Sequence, residues 1–409
     1  MLRFLTAGES HGPALSVIVE GIPAGVGIQS KFIADELARR RLGYGRGPRM
    51  KIEQDQLELL SGVRFGKSLG SPISLIIRNS EWSKWERVMS AEGAPAGNIL
   101  TEPRPGHADL AGMLKYGFTD ARDVLERASA RETAARTAAG ALAKQLLGEL
   151  GIQIVSHVVA IGEVSAGGAI RPRPEDREAI DASQVRCADP GATEAMVNNI
   201  EAAGAAGDSL GGVFEVLAYG VPPGLGSYVS WDRRIDGRLA QALMSIPAIK
   251  GVEIGDAFNV ARQRGSESHD EIFFEGGDYV RHTDRAGGFE GGMTIGGPIR
   301  VRAAMKPLST LKRPLQTVDT RTNKPAVAFK ERTDVCSVPA AAVVGESVVA
   351  LTLADALLEK FGGDSLGDIK QAIQAYDERI KSTSGDSQLL ATPTPIDRRL
   401  LPPRTPPQA

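Results

Sequence analysis

At 409 residues the chain is longer than one compact domain of roughly 150 residues, so it forms either two closely packed lobes or one large core. With 42% hydrophobic and 24% charged residues it is neither disordered nor fibrous, and 47 glycines with 24 prolines call for many turns. The 48 basic against 50 acidic residues leave a formal net charge of −2, too small a field to draw the protein onto nucleic acid or an anionic membrane, so any anion site must be local.

In chain order, the first residues, MLRFLTAGESHG, lack the basic and apolar segments of a secretion signal. Ala14–Glu20 predicts a short buried strand, and Ser30 is a candidate cap for a helix running to about Arg41. Arginines crowd at that helix end and in the glycine-rich stretch beyond it, at Arg39, Arg40, Arg41, Arg46 and Arg49. Of the basic residues 34 are arginine, whose planar fork suits bidentate binding of carboxylate or phosphate. Over Asp123–Leu150, apolar or small residues at Val124, Ala128, Ala135, Ala139, Leu142 and Leu146 mark one helical face. Arg131 shares that stripe, where a guanidinium must find partners or reach water.

Strands are predicted at Ile152–Val164 and Gly212–Tyr219, a helix over about Arg234–Ser245, and strands near Asp270–Phe274 and Ile299–Met305. This order has no clean βαβ rhythm. Leu308–Thr333 shows little periodicity and is long for a connection, which makes it a candidate functional loop carrying Arg332. The most apolar window, Val338–Leu358, carries Glu346 and Asp355 and reads as a buried helix rather than a membrane span. From Ser382 six prolines (Pro393, Pro395, Pro402, Pro403, Pro406, Pro407) predict an extended appendage, dividing the chain into a catalytic domain over 1–381 and a tail over 382–409. Cys187 and Cys336 have neither disulfide-framework nor zinc-ligand spacing, and a reducing cytoplasm fits them.

Two of the five histidines sit in glycine-bounded turns, His11 in Gly8–Gly12 and His107 in Arg104–Asp109. Glycine lets backbone and ligand approach closely, and a histidine there can act as an acid near neutral pH. His157 lies in a strand pattern and reads as a core residue, and His269 and His282 read as surface or loop residues. Gly62–Ser68 resembles a phosphate-binding P-loop but has three residues between its glycines where that motif needs four. The glycines of Gly287–Gly292 make no dinucleotide fingerprint, and either a plain hairpin or a backbone anion cradle fits them.

Taken together, long motifs in order make the chain resemble chorismate synthase over about Met1 to Ile380: GESHG at Gly8–Gly12, RRR at Arg39–Arg41 followed by Arg46, RPGHAD at Arg104–Asp109 and RASARET at Arg127–Thr133, then KGVEIG at Lys250–Gly255, EGGMT at Glu290–Thr294, MKPLST at Met305–Thr310 and ERTD at Glu331–Asp334. The resemblance implies an α+β fold, a layer of helices sandwiched between two antiparallel sheets, assembled as a homotetramer. It implies an anti 1,4-elimination of phosphate from 5-enolpyruvylshikimate-3-phosphate to chorismate, the last step of the shikimate pathway, with reduced FMN lending electron density and recovering it. A substrate with a phosphate and two carboxylates, beside a cofactor with another phosphate, explains why arginines cluster.

By motif match, His11 would protonate the departing phosphate, His107 would hold a proton near the flavin pyrimidine ring, and Asp334 would assist deprotonation at flavin N5 with Ser10 as its relay. FMN contacts would fall on Arg127, Ala128, Ser129, Pro247, Ala248, Gly291, Lys306, Pro307, Leu308, Ser309, Thr310 and Arg332. Arg40 and Arg46 match positions assigned to NADPH but are read as substrate clamps with Arg49 and Arg131, with reduction of the flavin by an external reductase or by NADPH both left open. No metal, nucleic acid or membrane partner is implied. The chain departs from many relatives at Ala128 (commonly Ser) and at Pro247 (commonly Asn or Gln), and Leu125-Glu126 replace a glycine pair seen in another branch of the family, a difference expected to alter loop shape more than chemistry. The competing activity is an NADPH-dependent flavin oxidoreductase using the same FMN site.

Overall fold

The computed structural model describes residues 1–47, 55–94, 96–167 and 170–385, with side chains as far as residue 381; Arg49 and residues 386–409 lie outside the described residues, while 382–385, expected to open the extended tail, continue the last helix, Leu366–Gly385. Two antiparallel sheets and a helical layer organise the chain. In the first sheet, β1 (Arg3–Ala7), β2 (Ala14–Glu20), β3 (Gln56–Ser61) and β4 (Ile73–Arg78) lie in the order β1-β2-β4-β3. Alternation fixes its faces: Leu15, Val17 and Val19 stand opposite Ile77, Leu75 and Ile73, all buried, while Leu5 and Ile18 pair on the other, exposed face.

The second sheet comprises β5 (Gln153–Ile161), β6 (Val164–Ser165), β7 (Gly212–Tyr219), β8 (Ile249–Ile254) and β9 (Ile299–Met305), in the order β8-β9-β7-β5-β6. The helices that matter here are α1 (Ser30–Arg41), α2 (Asp109–Tyr116), α3 (Arg122–Ala128), α4 (Thr133–Gly148), α5 (Pro190–Ala206), α6 (Ile235–Met244), α7 (Val338–Phe361) and α8 (Leu366–Gly385). Helix α4 packs on β2 of the first sheet, α7 on β5 and β7 of the second, and the two helices pack on each other with α1 beside them. The result is the expected helical layer between antiparallel sheets.

Small residues make that layer thin. A Cβ at Gly140 of α4 would stand 2.3 Å from the Ser347 Cβ of α7, and one at Gly345 would stand 2.5 Å from the Phe214 ring on β7. Between the helices lies a buried ionic cluster. Glu346 accepts from Arg39 (2.7 Å), Lys144 (2.5 Å) and Ser156 (2.6 Å), and Lys144 also donates to Glu36 (2.6 Å). This explains how α7, the one described helix long and apolar enough to cross a membrane, lies buried in the core with a carboxylate in its middle.

Four sequence expectations change. Ser30 is the first residue of α1 and not its cap; Gln29 takes that position, with its amide donating to the Gln145 side chain (2.6 Å). The single helix expected over Asp123–Leu150 breaks at Ser129, which is extended (ψ 142°) and whose hydroxyl accepts from the Arg131 amide (3.3 Å), so Val124 and Ala128 belong to α3 and not to the stripe of α4. The strand expected near Asp270–Phe274 begins at Phe273, as one arm of a hairpin with Asp278–Val280. The aperiodic Leu308–Thr333 stretch contains a hairpin, Gln316–Asp319 with Lys324–Val327. Gly62–Ser68 is also a hairpin, turning at Phe65 and Gly66, both at positive φ, which is why it is no phosphate loop.

Candidate active site

A cleft opens where the C-terminal end of α1, the Ser129 break and the N-terminal end of α7 converge. Its polar wall is Arg40, Arg46, Ser129, Arg131, Arg332 and Asp334; Ile246, Pro247, Met305, Leu308 and Val344 make the apolar wall. Successive helical positions point about 100° apart, so the arginine triplet divides its work. Arg39 turns into the ionic cluster, while Arg40 reaches Thr133 Oγ1 (3.4 Å) and, more loosely, Asp55 (3.8 Å) at the cleft.

Arg46 is ion-paired through Nε to Asp334 (3.0 Å), yet its Nη1 is buried with no hydrogen-bond partner among the described residues. A buried guanidinium nitrogen left in this state costs free energy, and an anionic oxygen in the cleft would satisfy it. Asp334 in turn accepts from the Gly47 amide (2.6 Å) and the Ser337 hydroxyl (2.7 Å). Glycine is needed at 47, because a Cβ there would stand 2.9 Å from the Thr333 carbonyl oxygen. Arg131 is engaged by Asn79 (3.0 Å) and by Asp55, and burial opposing several guanidiniums leaves the Asp55 carboxyl below its ordinary range. Arg332 grips Glu81 (2.5 Å), a hydrogen bond that takes the Glu81 carboxyl down to about 2.

Both glycine-bounded histidines are held by carboxylates. His11, on the turn between β1 and β2, places Nδ1 3.0 and 3.1 Å from the two Glu126 oxygens, and its ring stacks on Trp85 at 4.0 Å. The adjacent Ser10 hydroxyl accepts from Ser129 Oγ (3.2 Å), which joins this turn to the cleft. His107 places Nδ1 2.5 Å from Asp109, which is fully buried and also takes a two-point grip from Arg104 (2.8 and 3.0 Å). Burial opposes ionisation of Asp109, but the bonds from His107 and Arg104 overcome it and bring the carboxyl to about 2.

The His107 loop is tied to Lys306–Thr310. Arg104 donates to Thr310 Oγ1 (2.9 Å), and Lys306 Nζ to the Gly106 carbonyl (2.8 Å). Burial, helped by nearby Lys250, draws the Lys306 ammonium below its usual pKa. Ser209 donates to the Leu308 carbonyl (2.7 Å), fixing Leu308 in the cleft wall between Pro307 and Ser309. Ala248, beside Pro247, has φ +70°, a conformation disfavoured for alanine, and its carbonyl accepts the Lys306 amide (2.9 Å).

Of the expected residues, Arg40, Arg46, Ser129, Arg131, Pro247, Leu308, Arg332 and Asp334 line the cleft, whereas Ser10, His11, His107, Ala248, Lys306, Pro307, Ser309 and Thr310 are not part of its wall, nor are Arg127, Ala128 and Gly291. Arg127 extends to the Thr6 and Gly8 carbonyls (2.9 and 3.1 Å) and braces the turn that carries Ser10 and His11, and Ala128 ends α3 behind it. Gly291 lies on the hairpin of Phe289–Glu290 with Met293–Thr294, beside Tyr228 and against the N-terminal end of α6, whereas Pro247 follows the other end of that helix. His157 is a buried core residue, 3.2 Å from Glu215. The sequence reading assigned no role to Glu81, Trp85, Asp109 or Glu126. Asp109 lay within a quoted motif; Glu126 meets His11 across 115 residues, and Glu81 and Trp85 stand at the two ends of a one-turn helical segment too short to show periodicity.

A guanidinium-rich cleft with an apolar wall, flanked by two carboxylate-held histidines, defines an enzyme that performs acid–base chemistry on an anionic small molecule. Comparison with known proteins gives the particular family. The family model described as chorismate synthase matches residues 2–358. The chain is 61% identical to a chorismate synthase from Frankia alni over 388 residues, 92% of this chain and 98% of that protein, and 58% identical to one from Salinispora tropica over 385 residues with the same coverage. A crystal structure of chorismate synthase superposes with a TM-score of 0.76 at 46% identity, covering 93% of this chain and 98% of the other. The chain belongs to the chorismate synthase family and is an enzyme of the lyase class.

Proposed function

We propose that this protein eliminates phosphate from 5-enolpyruvylshikimate-3-phosphate to form chorismate, with reduced FMN bound beside the substrate in the cleft. The observation that carries the reading is Arg46, whose buried Nη1 has no hydrogen-bond partner among the described residues, at the edge of a pocket with one polar and one apolar wall. That combination fits anionic oxygens on one side and a flat ring on the other. Ser129, Pro247, Ala248, Lys306 to Thr310 and Arg332 would hold the flavin, and Arg40 and Arg46 the substrate anions, with Arg131 in support through its pair with Asp55. When bound, reduced FMN would lend electron density as phosphate departs and regain it as the ring hydrogen is lost, leaving no net oxidation.

In this reading the carbon–oxygen bond to phosphate breaks, a ring hydrogen leaves, and a second ring double bond forms. His11 delivers a proton to the departing phosphate oxygen. His107 keeps a proton on the cofactor side of the cleft, held by Asp109. Asp334, poised between Arg46 and Ser337, takes up the proton released from the cofactor region, with Ser10 as its relay. Arg46 can keep Nε on Asp334 while offering Nη1 to the substrate.

The same proposal places the protein in the cytoplasm as a homotetramer supplied by an external flavin reductase, with NADPH at Arg40 and Arg46 as the alternative reductant. Two buried, unbridged cysteines and the exposed Leu5–Ile18 pair on the first sheet support the location and the assembly, and the siting of both arginines within the cleft supports the substrate role. Anaerobic incubation with chemically reduced FMN and the enolpyruvyl phosphate should yield phosphate and chorismate in equal amounts. Absence of both products overturns the proposal.

A further inference from the structure

We infer that Glu126 is a positioning residue that fixes His11 as a proton donor through Nε2. The inference rests on the reading of His11 as the acid for phosphate departure. Its basis is a contact between residues 115 apart in the chain, at a position where another branch of the family has a glycine pair.

Glu126 is 2% exposed, and everything around it is a donor. It receives the backbone amide of His11 (2.9 Å) and Arg122 Nη1 (3.1 Å), and its two oxygens flank His11 Nδ1 (3.0 and 3.1 Å). Burial works against ionisation of Glu126, but the bonds from His11 and the charge of Arg122 hold its carboxyl below the ordinary range, so it is an ionised acceptor without a proton to give. A nitrogen between two carboxylate oxygens must carry hydrogen. His11 therefore keeps Nδ1–H in either charge state, and Nε2 is the nitrogen that gains and loses a proton. The carboxylate also balances the charge that the ring carries when protonated.

Orientation is fixed as well as tautomer. Trp85 stacks on one face of the imidazole at 4.0 Å, and Arg122 lies 5.1 Å over the Trp85 ring while holding Glu126, with Glu331 4.0 Å from its other arm. Ser10 donates its backbone amide to the Glu126 carbonyl (2.9 Å), so one residue of α3 fixes two successive residues of the β1–β2 turn. The device parallels the grip of Asp109 on His107, but here the partner is 115 residues away.

The test uses protein labelled with 15N-histidine, the His11 signal being assigned with His11→Asn, together with anaerobic kinetics. In the wild type at a pH where the ring is neutral, His11 should show the Nδ1–H tautomer, the minor form of free imidazole side chains. In Glu126→Ala it should become predominantly Nε2–H, with kcat falling about 10²-fold and KM for the enolpyruvyl phosphate within about twofold. Glu126→Gln retains a carbonyl acceptor and should keep the Nδ1–H signal with kcat about 10-fold lower; it decides the question alone if the alanine variant does not fold. An unchanged tautomer and kcat in Glu126→Ala, a wild-type kcat in Glu126→Gln, or a parallel change in kcat and KM without a change in tautomer overturns the inference. If His11→Asn retains full turnover, it is the role of His11 itself that fails, whatever Glu126 does.

Discussion

A histidine is a useful acid only when one of its nitrogens is committed, and here each glycine-bounded histidine has Nδ1 occupied by a carboxylate, His11 by Glu126 and His107 by Asp109. The histidines themselves were legible as candidates, because each stands on a glycine-bounded turn within a motif of the resembled family. Their partners were legible only in part: Asp109 is two residues from His107, but no local pattern links Glu126 to a histidine in another part of the chain. Arg131, a candidate clamp by its place on a helical stripe, lines the cleft and is held there by Asn79 and Asp55, partners that its sequence position did not reveal. His107→Ala and Asp334→Ala should each lower kcat about 10²-fold while circular dichroism stays that of a folded protein. Arg46→Ala should act differently, raising KM for the enolpyruvyl phosphate by at least about tenfold, if its Nη1, which has no partner among the described residues, is the binding group proposed; titration calorimetry with the substrate and oxidised FMN checks this without turnover.

The helical layer accounts for most of what periodicity could and could not reveal. Helix α1, β2, β7 and β9 were predicted to within a residue because each is bounded by turn-forming residues and has one consistent face. The break at Ser129 was hidden because small residues continue at helical spacing through it, and only the capping hydroxyl and the demands of the cleft interrupt the helix. The α4–α7 contact allows a direct test: Gly140→Ala forces the two helices apart at Ser347 and should destabilise the protein by about 1–3 kcal/mol in urea unfolding. Glu346 is harder on the layer. Removing its charge leaves Arg39, Lys144 and Arg186 with an uncompensated excess, so Glu346→Gln should cost at least about 3 kcal/mol. Burial opposes the ionisation of Glu36 and Glu346, but the surrounding cations prevail and both carboxyls titrate below the ordinary value. Depressed carboxyls stabilise the fold above the unfolded pKa of about 4.3 and cease to do so as pH falls toward the folded values. Thermal unfolding should therefore show stability lost below about pH 4, on a limb that is shallower in Glu346→Gln.

At the scale of the whole molecule, near-zero net charge and clustered arginine are two sides of one design: the anion field is confined to a cleft and balanced elsewhere by buried carboxylates. The sandwich itself could not be read from composition or spacing, because strands that neighbour each other in a sheet, such as β5, β7 and β9, are separated in sequence by helices and loops of unequal length. Motif resemblance supplied it, and the packed sheets and family match agree. The central claim is that the flavin acts catalytically in a lyase cleft and is not consumed as a reductant. It is tested most directly by anaerobic turnover with the enolpyruvyl phosphate in large excess over chemically reduced FMN, following phosphate and the flavin spectrum together. The account predicts phosphate equal to the substrate consumed, with the flavin still reduced at the end. Phosphate limited to one equivalent per flavin, with flavin oxidised in step, would contradict it and identify an oxidoreductase.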